Sequence, residues 1–154
     1  MGNGSKKMSS KKTVLDAIET SLKTISGVGD VIQYTEGYTQ IEPSDFPALL
    51  ITDEVAERER IAFSHSTNAN VIDMQALLNL TIRGRIFSIT NETATPSDNL
   101  LGLVEKTLST STAVDALVKD IYPLTDVTDE GIQDNFSSFS QTYAVLFEYN
   151  HANP

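Results

Sequence analysis

The chain has 154 residues, the size of one domain able to bury roughly 70% of its unfolded surface in a single core. With 40% hydrophobic and 21% charged residues and no cysteine, it is neither a disordered polymer nor a disulfide scaffold, and it holds no thiolate metal site or cysteine nucleophile. A net charge of −10 disfavours nucleic acid or an anionic membrane surface as the bound partner, and no apolar run approaches the ~20 residues of a membrane-spanning helix.

Residues 1–12, MGNGSKKMSSKK, lack the apolar stretch of about 7–15 residues that a signal peptide needs, and they read as a flexible tail on a protein assembled in the cytoplasm. Four of the 11 basic residues fall there, Lys6, Lys7, Lys11 and Lys12, which leaves seven basic against 21 acidic residues in the remainder, a net of −14. From Lys12 to Ile25 the residues Val14, Leu15, Ile18, Leu22 and Ile25 recur at helical spacing, and Gly27 and Gly29 close the helix. Val31 to Tyr34 predicts a short strand, 36–45 a loop, and Phe46 to Thr52 a central strand apolar on both faces. Asp53 to Phe63 is helical by propensity but alternates like a strand; we read a strand, joined through the polar 64–70 turn to the next segment as a hairpin.

Ile72 to Phe87 alternates with period two over its whole length, which at ~3.3 Å per residue predicts a strand of roughly 50 Å. A compact domain of this size spans only about 40 Å, so the strand is expected to overrun its own domain or to bend at Gly84. Beyond a loop at 91–96, Thr95-Pro96-Ser97-Asp98 has the form of a helix start, with Leu100, Leu101, Val104 and Leu108 as the buried stripe. A second short helix runs from Ala113 to Asp120, with Val114, Leu117 and Val118 facing inward, and ends before Pro123. Leu124 to Ile132 is weakly strand-like. Phe139, Gln141, Tyr143, Val145, Phe147 and Tyr149 form one face of a final strand. The fold class is α+β, a single domain over 13–150 with a short extension at 151–154. A largely antiparallel sheet with a long projecting hairpin is covered by an N-terminal helix and a central helix pair.

Little in the chain suggests catalysis or a cofactor. His65 and His151 read as solvated, because no other ligand sits at metal-binding spacing around either. Asp126, Asp129, Glu130 and Asp134 lack the spacing of an EF-hand loop and read as an acidic edge. Gly27-Val28-Gly29 lacks the rest of a phosphate loop, and the glycosylation-type triplets at Asn3, Asn79, Asn91 and Asn135 are chance matches in a protein that is not secreted. No G-x-S-x-G elbow accompanies the serines, so the expectation is a protein that is not an enzyme and carries neither metal nor cofactor.

The arginines point elsewhere. All four, Arg58, Arg60, Arg83 and Arg85, lie on the two hairpin segments. One reading pairs them across strands with Glu57, Glu59 or Asp73. The other makes the hairpin a basic arm that meets the acidic body of an identical subunit, so that copies associate head to tail and close a ring. On the second reading the expected interface residues are Arg58, Arg60, Phe63, Arg83, Arg85 and Phe87.

The helix VLDAIETSLKTI with its Gly-rich stop, the strand FPALLIT, the alternating IDMQALLNLTIRGRIF, the helices NLLGLVEKTL and AVDALVKDIYP, and the strand TYAVLFEYN occur in an order that resembles the tail-terminator (tail-completion) proteins of long-tailed bacteriophages. The resemblance spans roughly Lys12 to Asn150. It implies a structural virion protein of the tail or neck: a homo-oligomeric ring, hexameric in that family, that caps the tail tube, stops its polymerisation and joins it to the head connector. Its partners would be further copies of itself, the tube protein and the connector, with DNA only as passing cargo and no membrane. An acidic body lining the lumen would repel that cargo. Another neck or tube ring component, or a small intracellular binding module, are the alternative readings.

Overall fold

The computed structural model describes residues 8–33, 47–63, 72–87, 94–128, 136–150 and 154. Helix α1 (Lys11–Leu22) starts where the Ser10 hydroxyl accepts the Thr13 amide at 3.2 Å. It ends one turn earlier than its periodicity suggests: Lys23 caps it with bonds to the Glu19 and Ser21 carbonyls, and Gly27, at φ 89°, turns the chain toward β1 (Asp30–Gln33). Ile25 is still buried, from the turn rather than from the helix. The boundary drawn at Lys12 moves outward too. Lys11 and Lys12 belong to α1, and Met8 bridges to Glu148 with Ser9 buried, so the fold includes residues assigned to the tail.

β2 (Ala48–Phe63) is one strand of 16 residues, where the sequence suggested a central strand followed by a separate hairpin arm. Thr52-Asp53-Glu54 contains no Gly or Pro, and β3 (Ile72–Phe87) lies opposite the strand along its length, so nothing ends it there. β2 is central only over Ala48–Ile51, where β1 pairs with it in parallel. After α2 (Ala94–Thr110) and the single turn of α3 (Thr112–Asp115) come β4 (Asp120–Thr128) and β5 (Phe136–Asn150). The second helix stops well before Asp120, and β4 begins before Leu124 because Asp120 to Pro123 pair with β5. Pro123 is tolerated there because β4 is an edge strand.

The five strands form one sheet in the order β1-β2-β3-β5-β4, antiparallel except at β1. β3 neither projects alone nor bends at Gly84. β5 pairs with it from Asp73↔Asn150 through Phe87↔Phe136, so a third long strand backs the hairpin. Gly84 serves packing instead: a Cβ there would overlap the buried Phe139 ring.

All three helices lie on one face. Val14, Ile18 and Leu22 of α1, Leu100, Val104 and Leu108 of α2, and Val114 of α3 with Val118 just beyond it join Leu49, Ile51, Leu78, Leu80, Ile82, Val145 and Phe147 of the sheet in one core. The odd residues of β5 from Phe139 to Tyr149 are all buried on this side, as their alternation predicts. The opposite sheet face carries no helix of the described residues; only Ala48 and Leu50, with Ile32, form a small apolar cluster on it. The α+β class with a largely antiparallel sheet is therefore the architecture of the chain.

Candidate assembly surfaces

In an antiparallel ladder, residues directly opposite share a face, so register assigns every position to the helix side or the open side. Leu49, Ile51, Asp53 and Val55 lie on the helix side, opposite Gly84, Ile82, Leu80 and Leu78. At Ala56 the register slips by one, and Arg58 and Arg60 then fall opposite Ala76 and Met74, also on the helix side. The bulge sends Glu57 and Glu59 to the open side, opposite Leu77 and Gln75, so the expected alternation of Val55 with Glu57 and Glu59 breaks here.

The six expected interface residues do not form one patch. Arg58 and Arg60 sit toward the hairpin tip on the helix side, whereas Arg83 occupies a register position opposite Leu50 on the open side, nearer the other end of β3. Arg85 pairs with Ala48 and Phe87 with Phe136 at that end, while Phe63 pairs with Ile72 at the tip. Arg58 and Arg60 also lie on the opposite face from Glu57 and Glu59. Arg58 lines a groove of about 210 Å³ with Lys11, Val55, Ala76, Phe147, Tyr149 and Pro154, and Lys11 is held 3.0 Å from Asp53 beside it.

Each side of the sheet has an exposed edge stretch. Beyond Ile51 no described strand pairs with the outer side of β2, and Glu54 and Ala56 through Arg60 are exposed. The other edge is β4, exposed from Tyr122 through Val127. Of the five large apolar side chains exposed among the described residues, β4 carries three: Tyr122 at 46%, Leu124 at 49% and Val127 at 59%. An edge with this much apolar surface is a pairing site unless it is covered. Its start is anchored by Lys119, whose ammonium lies 3.1 Å from the nearly buried Glu148 carboxylate and donates to Gln75 Oε1 at 3.3 Å.

Four threonines cross the open face in a row, Thr52, Thr81, Thr142 and Thr125, with the Thr81 and Thr142 hydroxyls 3.3 Å apart. Around them the open side carries Glu54, Glu57, Glu59, Asp73 and Asp120, against Arg83 and, by register, Arg85. The acidic character read from composition is thus displayed on this face. Of the acidic run read as an edge, Asp126 lies on β4; Asp129, Glu130 and Asp134 lie outside the described residues, as do His65, His151 and Asn3, Asn91 and Asn135. No group of three potential metal ligands occurs among the described residues, and no described helix is long and apolar enough to cross a membrane.

Sequence reading missed a buried polar relay beneath α2. Gln141, fully buried on the helix side, donates to Glu105 Oε1 at 3.2 Å and accepts the Tyr143 hydroxyl proton. Burial pushes the Tyr143 phenol well above its usual range, with Glu105 and Asp126 adding to the shift. The only sequence signal was a glutamine at a position whose neighbours i±2 are aromatic. Tyr143→Phe strands a buried carbonyl and should cost about 1–3 kcal/mol, whereas Gln141→Leu with Tyr143→Phe removes both partners and should cost less than the two single changes summed. Urea melts of the three variants check this.

No family model matches the chain, and no curated protein matches it either.

Proposed function

We propose that the chain is a tail terminator, a ring in the tail or neck of a bacteriophage that caps the tail tube, halts its polymerisation and joins it to the head connector. The observation that carries this reading is the pair of exposed, dissimilar edge stretches on a sheet whose described helices all lie on one side. Two different edges on one subunit are what a head-to-tail association needs, and head-to-tail contacts that close make rings. The family resemblance supplies the ring's place in the virion and its six-fold number. The open face, where carboxylates outnumber Arg83 and Arg85, supports its assignment to the lumen, because a surface that repels phosphate lets DNA pass without sticking.

The test is tube growth. Adding the purified protein to polymerising tube protein should shorten the tubes and place one ring at an end, as seen by negative-stain microscopy. Tubes of unchanged length, or tubes grown from this protein by itself, would contradict the reading, the latter in favour of a tube-like component.

A further inference from the structure

We infer that copies of this chain join by strand addition, β4 of one subunit pairing antiparallel with the Thr52–Arg60 stretch of β2 in the next. The inference rests on the ring reading above and names its contact.

Strand direction comes first. β3 runs antiparallel to β2, β5 to β3, and β4 to β5, so β4 runs antiparallel to β2 within one subunit. Rotation about a ring axis lying along the strands preserves their direction, so β4 meets the neighbour's β2 antiparallel as well.

Charge then selects this pairing over its two-fold rivals. A two-fold β4 pair centred on Asp120 or on Asp126 would oppose that carboxylate to its own copy, and a two-fold β2 pair centred near Glu57 would gather Glu54, Glu57 and Glu59 of both strands on one face. Like charges directly across a ladder are destabilising. Joining β4 to β2 instead puts Asp126, on the helix side opposite Gln141, on the same face as Arg58 and Arg60. Tyr122 and Val127 share the open face with Glu54, Glu57 and Glu59, and Asp120, on that face too, falls beyond Glu59, level with Ala62, once β4 is shifted by four residues.

The remaining element is stagger. Within its own sheet β4 stands level with β5 from Phe139 to Leu146, and therefore with β2 from Leu49 to Glu57. β1 already fills the outer side of β2 over Ala48–Ile51, so an incoming β4 must shift toward the hairpin tip. Keeping helix side against helix side requires an even shift, and four residues is the smallest that clears β1. At ~3.3 Å per residue this is about 13 Å of stagger, accumulated over the four inter-strand spacings of ~4.8 Å between one β2 and the next. The ratio corresponds to a strand tilt of roughly 35°, and a shift of six residues gives roughly 45°. Closed barrels tilt by about 35–45°, so the obstruction by β1 imposes the stagger that closure needs.

The chain contains no cysteine, so disulfide trapping has no background. Tyr122→Cys with Glu59→Cys brings two sulfurs together across the contact at a four-residue stagger, and Thr125→Cys with Glu59→Cys does so at six. Under mild oxidation one of these double variants should give a ladder of covalent oligomers on a denaturing gel, with each single variant remaining monomeric there. Dimers from Tyr122→Cys or Glu59→Cys alone would overturn the inference in favour of a two-fold contact. Oligomers by light scattering with no ladder from either double variant would overturn it and leave the ring reading standing. A monomer at every concentration would remove the ring reading, and this contact with it.

Discussion

Gly84→Ala is expected to destabilise the protein by about 1–3 kcal/mol, although glycine is ordinarily the poorer strand residue. A Cβ at this position overlaps the ring of Phe139, which is only 2% exposed and packs within the same core as Ile82 and Ile86. The ring cannot swing to solvent, and β2 and β5 hold the Gly84 backbone from both sides. The cost must be taken as side-chain and strand displacement in a close-packed interior. Shortening the ring should relieve it: Gly84→Ala in a Phe139→Leu background should cost less than in the parent, and the difference measures the clash. Gly102, on an exposed turn of α2 with open space at its Cβ, is the control, and its replacement by alanine should raise stability by about 0.5–1 kcal/mol. Denaturant midpoints for the parent and these four variants decide the matter, and a neutral Gly84→Ala would show that the close approach does not constrain the strand.

Leu124→Glu with Val127→Glu should abolish self-association while leaving the fold intact. Both side chains are about half exposed, so two glutamates cost the isolated subunit little. In a β4–β2 contact the carboxylate of Val127→Glu would fall opposite Glu54 at a stagger of four residues or Glu57 at six, and like charges brought together at an interface cost several kcal/mol. At 1.4 kcal/mol per tenfold, association at each contact should fall by roughly a hundredfold or more. Charged edge residues are also the means by which natural sheets prevent edge pairing. The expected result is an unchanged far-ultraviolet circular dichroism spectrum together with a shift of the sedimenting species to the monomer. An assembly of undiminished size would place the contact elsewhere on the molecule.

Much of the fold was legible because it rests on simple periodicity. The odd positions of β5 from Phe139 to Tyr149 and the even positions of β3 from Ala76 to Ile86 are buried as alternation requires, and α1 buries Val14, Leu15, Ile18 and Leu22 as a helix stripe should. What was hidden depended on partners far away in sequence. Nothing local announces that β5 accompanies β3 along nearly its whole length, so the hairpin looked like a projecting arm. The bulge at Ala56 is equally silent, yet it transfers Arg58 and Arg60 to the helix side and separates them from Glu57 and Glu59. Asp120 to Pro123 resembled a helix end because proline stops helices, but a sheet edge accepts proline as readily. The four arginines looked like one patch because they lie on adjacent strands; register sets one pair toward the tip and the other toward the base. The apolar edge of β4 was concealed for a different reason. Tyr122, Leu124 and Val127 are spaced too irregularly, across the slip between Pro123 and Thr125, to stand out as one surface.

The proposed closed ring of copies of this chain is tested by the mass of the purified protein, read by multi-angle light scattering across micromolar concentrations. One species near six times the 16.8 kDa chain mass is expected, reduced to a single chain by Leu124→Glu with Val127→Glu. A particle of 16.8 kDa at every concentration would contradict it.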